Sequence, residues 1–370
     1  MSRIYRVYVL PAAVFQSVMI GGGYGTGREI VEFFTRYGLW GGVLGIGVVS
    51  ALFGVLLALS YDFARAFKVY DYRRFFRALL GRGWIAFEVL YLAMFALILA
   101  VIAAAARGLV EQYFHWPGLA GMAALLLVIV LLAFYGREWV TRILALKAAF
   151  LSVVFLLYFS VIWSRAGASI ATELARFELG AGWLGGALRY SLYASVVIPA
   201  MLFGTSALTT RREAVASGIT SAIGGMVPGL LLHVSFGAGY PQVLQQSIPA
   251  YWMISSLGIP LLTGLYIAVL FGCLLDTGLC FVQSVNERVD GWLAERARAP
   301  IPRPARAAIA ILCVSVSGAL SSFGVVDLIA KGYGMMAWGF LVLYVGPLVT
   351  IGVYRLMHRD PVGVQAPIPT

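Results

Sequence analysis

The sequence predicts an all-α integral membrane protein. Its ten transmembrane helices would form a five-plus-five inverted repeat with helices one and six interrupted. Three observations lead there. Of 370 residues, 61% are hydrophobic and 12% charged, with a mean hydropathy of +0.90, whereas soluble domains carry about 25% charged residues. Apolar stretches long enough to cross a hydrocarbon core recur along the whole chain. The connections between them alternate between basic and nearly uncharged.

The apolar stretches cover 7–35, 38–60, 84–108, 118–135, 139–163, 184–209, 214–236, 257–286, 306–323 and 333–356. A cytoplasmic N-terminus places Arg3 and Arg6, the cations from Arg65 to Arg82, Arg137 and Arg142, Arg211 and Arg212, the arginines from Arg288 to Arg306, and Arg355 and Arg359 on the inner side. The outer side keeps Arg36, Arg107, Arg165, Arg176, Arg189 and Lys331. This bias puts both termini in the cytoplasm of a multi-pass protein of the cell (inner or plasma) membrane. It also accounts for the net charge of +11 and pI of 9.7 without a nucleic-acid partner. The first span has no small-residue cleavage site after it and is read as retained. Cys273, Cys280 and Cys313 lie in apolar segments without ligand spacing, so neither a disulfide nor a metal site is expected.

A single transmembrane domain over 1–370 is expected, with repeats at 7–163 and 184–356 and a disordered tail at 360–370. Five spans is an odd number, so the second repeat enters from the opposite side. Between the spans, Tyr61–Trp84 mixes arginines with aromatics and reads as an interfacial helix. The stretch 166–179 reads as a short outer helix, and 237–253 as a lid over an outer vestibule. Pro300, Pro302 and Pro304 stiffen the link before span nine. Gly41-x-x-x-Gly45 can pack helices within or between protomers, so the oligomeric state stays open.

The chain is organised around Gly21-Gly22-Gly23-Tyr24-Gly25-Thr26-Gly27-Arg28-Glu29. Each glycine weakens a helix interior by about 1 kcal/mol relative to alanine, and a charge at mid-membrane costs about 3 kcal/mol on insertion scales. Irregular backbone at that depth must face protein or a cavity. Span six holds a second interruption, Ser195 to Thr205, where Pro199 removes a backbone donor and Gly204 loosens the next turn. Matching breaks in corresponding spans of two halves point to a transporter site.

The run GGGYGTGREIVEFF, Gly21–Phe34, resembles the Gly-rich segment of the YkvI-like bacterial membrane proteins. More broadly it is similar to the Gly-x-Gly break of the amino acid–polyamine–organocation (APC) transporters with the LeuT fold. That resemblance implies alternating-access transport of amino acids or related small amine or zwitterionic solutes, coupled to H⁺ or Na⁺. It also implies that span eight, at Asp276-Thr277, approaches the first helix where such transporters place hydroxyl ligands for Na⁺. Here a carboxylate replaces one hydroxyl. In some relatives without Na⁺ coupling, a lysine on the fifth helix takes the ion's place, and Lys147 stands on that helix.

Read as chemistry, an unwound helix exposes free carbonyls on one half and free N–H groups on the other. A zwitterion would set its carboxylate against the amides around Gly23, Tyr24, Gly25 and Thr26. Its ammonium would meet the carbonyls of Ile20, Gly21 and Gly22 and of the span-six break at Ser195, Ile198 and Pro199. Tyr24 and Phe203 are expected as pocket walls. Glu29 holds a cationic group or a proton, or pairs with Arg28 or Arg36. Lys147 and Asp276 are expected to meet as a coupling pair, which favours H⁺ over Na⁺, while snorkelling is the plain alternative for Lys147. His233 reads as a hydrogen-bonded packing residue. No H-E-x-x-H pair, G-x-S-x-G elbow or Walker A loop is present, so an enzyme is not expected. The expected function is a proton-coupled secondary transporter. The alternatives are a Na⁺-coupled symporter of the same substrates and a non-transporting solute sensor.

Overall fold

The computed structural model describes residues 3–135, 137–294, 296, 298–299 and 301–358. These residues are helical, with no strand among them. A π turn at Tyr5–Val9 leads into α1 (Leu10–Met19), and α2 (Arg28–Phe33) follows an irregular stretch. The next elements are α3 (Gly38–Phe67), α4 (Tyr72–Leu80), α5 (Trp84–Phe114), α6 (Gly118–Tyr135), α7 (Arg137–Ala175) and α8 (Trp183–Ala194). After them come α9 (Arg211–Phe236), α10 (Pro249–Ser256), α11 (Pro260–Ala294), α12 (Arg303–Leu320), α13 (Gly334–Phe340) and α14 (Val353–Met357). Among the described residues, six helical stretches are long and apolar enough to cross a membrane: Arg28–Phe67, Tyr72–Phe114, Val153–Ala175, Arg211–Gly239, Pro260–Asp290 and Arg303–Met357. Gly118–Leu132 is a shorter apolar helix. The chain is therefore a membrane protein with many apolar helices.

Two groups of helices carry the packing. In one, α3 lies along α9, α1 packs on α9, and α8 packs on α3. In the other, α5, α6, α11 and α12 pack on one another. The α3–α9 crossing is close enough to require glycine. A Cβ on Gly218 would lie 2.4 Å from Ala58 N and 2.7 Å from its Cα, and backbone cannot yield as a side-chain tip can. Gly218→Ala is expected to cost at least about 1–3 kcal/mol, read as a lower melting temperature in detergent. An unchanged melt would mean that the two helices do not touch there. Gly41 and Gly45 face Tyr37, Trp183, Phe34 and Ala187 of the same chain, so that pair packs helices within the protomer.

Two connections differ from the sequence reading. The span expected to end at 60 continues as helix to Phe67, because Tyr61, Phe63 and Ala64 are buried. The segment 166–179 is not a separate helix, since α7 runs unbroken to Ala175. Within the stretch expected as an interfacial helix, 61–84, the separate short helix is α4. Asp71 caps it by accepting from Arg74 N at 2.9 Å, Phe75, Phe76 and Leu79 are buried, and Arg73 and Arg77 lie over the Trp84 ring. The tail expected at 360–370 lies outside the described residues.

Arg288 of α11 joins three elements. Its Nε donates to Glu88 Oε1 of α5 at 2.6 Å, and Tyr72 of α4 donates to the same oxygen at 3.2 Å. The guanidinium carbon lies 4.6–5.1 Å from the ring centres of Tyr72, Tyr91 and Phe95. Such stacking suits a planar, weakly hydrated cation.

Candidate solute and ion site

The first helix is broken where the glycines are. α1 ends at Met19, Ile20 leaves helical geometry with ψ 63°, and the chain makes one loose turn over Gly22–Gly25. It re-enters helix through Gly27 at φ +78°, where a Cβ would sit 2.7 Å from the Phe236 ring. Only glycine meets both demands there. Three freed carbonyls find donors. Thr26 Oγ1 donates to Gly23 O at 2.7 Å, Tyr266 Oη of α11 to Gly25 O at 2.6 Å, and Ala250 N to Thr26 O at 3.1 Å.

The sixth-span break is also present. α8 stops at Ala194, a short turn covers Val197–Ala200, and a 3-10 turn covers Leu202–Thr205. The first of these turns packs on α1. Ser195, Ile198 and Pro199 are buried, and Ser195 Oγ donates to Leu192 O at 2.6 Å. Phe203 is the correction in this group. The residue is 63% exposed, because the tight turn at Leu202–Thr205 aims it outward rather than toward the buried break.

The charged residues after the first break divide cleanly. Glu32 takes both arginines: Arg28 Nη2 at 2.8 Å, and Arg36. Arg28 Nη1 donates to Leu244 O at 2.8 Å and Gln246 O at 3.2 Å. Arg28 and Thr26 thus tie the segment 237–253, expected as a lid, to the break. Glu29 pairs with neither arginine. It is 9% exposed and accepts from Tyr193 Oη of α8 at 2.8 Å. Its Oε1 lies 1.8 Å from where a Cβ on Gly23 would be, so the carboxylate rests against the break itself.

Around Glu29 stand aromatic residues that the sequence reading did not single out. Tyr193 packs on Tyr333 with ring centres 4.8 Å apart, and on Tyr190 at 5.3 Å. Tyr190 is fully buried, and its hydroxyl has no hydrogen-bond partner among the described residues. The available signal was the i, i+3 spacing of Tyr190 and Tyr193 just before the sixth-span break, which puts both on one helix face. Nothing local marked Tyr333. Tyr24, in the break, is fully buried. Its phenol sits in a notch on α9, with Oη 2.5 Å from a Cβ built on Gly229, and donates to Gly225 O at 3.3 Å. Small residues on α9 leave room for it there.

On α11, Thr277 faces the break: its Oγ1 lies 3.3 Å from the Cβ position of Gly21 and donates to Cys273 O at 2.8 Å. Asp276 is one step further round the helix, half-buried, with Cys280 Sγ 3.5 Å from Oδ1. Lys147 lies on α7, but its side chain is outside the described residues. His233 is held at both ring nitrogens, by Thr35 Oγ1 at 2.9 Å and Leu39 O at 2.8 Å. Leu39 O only accepts, so Nε2 carries a proton. His233 is therefore a packing residue, as expected. Among the described residues, no cluster of three His, Cys, Asp or Glu could hold a metal.

No protein-family model matches the chain. It is 22% identical over 306 residues to the uncharacterised membrane protein YkvI of Bacillus subtilis, covering 78% of this chain and 82% of that one. A Na⁺-coupled sialic acid symporter, solved substrate-bound and outward-open, superposes with a TM-score of 0.63 at 14% identity, over 92% of this chain and 78% of that one. The Eremococcus coleocola manganese transporter gives 0.60 at 16% identity, over 93% and 78%. The chain has the LeuT transporter fold. Interruptions at 20–27 and after Ala194 agree with the interrupted helices that resemblance implied. The LeuT-fold neighbours and the relative are membrane proteins, and the neighbours are transporters, not enzymes.

Proposed function

We propose that the chain is a proton-coupled secondary transporter that moves an amino acid or related small amine by alternating access through one ten-helix domain. The observation that carries this reading is the buried Glu29 carboxylate. It rests against the broken first helix with one tyrosine donor and no cationic partner among the described residues. A charge in that position costs several kcal/mol unless it is paired. A proton or a cationic solute relieves the cost, and a site that alternates between them is a coupling device.

Helix packing supports the inverted repeat. Under an exchange of each span with the one five later, α1–α9 packing maps onto α8–α3, α5–α6 onto α11–α12, and α5–α12 onto α11–α6. The α3–α9 and α5–α11 contacts map onto themselves.

A Na⁺-coupled symporter is the second reading. It is favoured by Thr277 Oγ1 beside Gly21, an oxygen next to freed carbonyls of the kind that binds Na⁺, and by the coupling of one structural neighbour. The pairing of Lys147 with Asp276 belongs to the proton reading. Purified protein in proteoliposomes separates the classes. Accumulation of a solute against its gradient is expected; a leak would mean a channel, and binding without flux a sensor.

A further inference from the structure

The geometry points to an exchange site: the Glu29 carboxylate and the tyrosines around it bind a primary ammonium group in place of a proton, so the protein exchanges organic ammonium ions for H⁺. This rests on the transporter reading and adds the substrate's charged group and the coupling mode.

Three independent features support it. The first is the absence of a counter-charge for Glu29 among the described residues. The two nearest arginines on its own chain segment are committed to Glu32 and to lid carbonyls. The groups facing it from packed elements are Tyr24 of the break, Tyr190 and Tyr193 of α8, and Tyr333 before α13. From α9, His233 is turned to Thr35 and Leu39. Lys331 is exposed and pairs with Asp327 at 2.9 Å.

The second feature is the Tyr190 hydroxyl, which has no partner among the described residues and is fully buried on the same face of α8 as Tyr193. A buried hydroxyl without a partner is destabilising, and an N–H donor from a ligand would satisfy it. The third is the aromatic character of the surroundings, since tyrosine faces attract ammonium ions most when water is excluded. A primary ammonium has three N–H groups to divide between Glu29 Oε1, the Tyr190 oxygen and a freed carbonyl. A quaternary ammonium has none.

The exchange balances. The O–H bond of the Glu29 acid breaks, its proton passes to water, and the carboxylate left behind receives R–NH₃⁺. One positive charge leaves the site as one enters, so each half-exchange is electroneutral. A proton and an ammonium that compete for one carboxylate are bound by mass action.

The test uses purified full-length protein. Its binding constants for propylammonium, 1,4-diammoniobutane and the free amino acids are measured by titration calorimetry across about pH 5 to pH 8. Proton release is followed in weak buffer. For the tightest binder, competition for one site weakens affinity by up to about tenfold per unit of falling pH, with up to one proton released per ligand bound. Tetramethylammonium binds far more weakly than the primary ions. In Glu29→Gln, which keeps an acceptor for Tyr193, both the pH slope and the proton release vanish. Tyr190→Phe loses no hydrogen bond, so it melts like the wild type yet binds the ammonium about tenfold more weakly. In liposomes, an inside-acid gradient drives uptake. Binding by none of these ions, a flat affinity across the range, or a slope retained in Glu29→Gln would overturn the exchange. Solute accumulation with pH-independent affinity would do so while leaving the transporter reading intact.

Discussion

Gly23→Val is expected to insert and purify as the wild type does and to lose amine binding. A Cβ at this position falls 1.8 Å from Glu29 Oε1, 2.6 Å from its Cδ and 2.9 Å from its Cγ. The whole end of the Glu29 side chain must therefore leave the break, and Tyr193 loses its acceptor. The added γ-methyls also fill space that glycine leaves open for close approach to that backbone. Glu29 is long enough to swing aside, so the fold tolerates the change while the site does not. The expected loss of affinity is at least about a hundredfold, measured by calorimetry with the best-binding solute. Undiminished affinity places the site away from the first-helix break.

Arg288→Ala is expected to destabilise the protein by about 3–5 kcal/mol, the usual cost of removing one partner from a buried ion pair. Arg288 and Glu88 are both largely buried, with side chains 9% and 15% exposed. The substitution strands Glu88 with Tyr72 as its remaining donor and empties the space between three aromatic rings. The measurement is thermal unfolding in detergent at fixed scan rate, because membrane proteins unfold irreversibly and such midpoints depend on the rate. Glu88→Gln, which keeps an acceptor, lowers the midpoint less. Equal and small effects from both variants would show that the cluster is not a clasp between α4, α5 and α11.

The sequence revealed the solvent, the helices and both breaks, because bilayer energetics writes long apolar runs into the chain and makes glycine and proline inside them conspicuous. It revealed Glu29 for the same reason, but left its partner open among a proton, a cation and two arginines. That ambiguity is structural. Glu29 and Glu32 lie three residues apart on one helix, and only the course of the lid past Leu244 and Gln246 decides which carboxylate Arg28 reaches. The notch on α9 that holds the Tyr24 phenol, made by Gly225 and Gly229, is a long-range feature with no local trace. Phe203 was misplaced because a 3-10 turn changes the facing of a side chain by more than a helical reading allows. Tyr333 comes from the far end of the chain, and no local pattern tied it to the first helix.

The most direct test of proton-driven transport is solute uptake into proteoliposomes at zero membrane potential, under an imposed pH gradient or an equal imposed Na⁺ gradient. The pH gradient is expected to accumulate the solute in wild-type vesicles and to fail in Glu29→Gln vesicles, while the Na⁺ gradient accumulates none in either. Strict dependence on Na⁺, with pH-independent uptake that survives Glu29→Gln, would contradict the account.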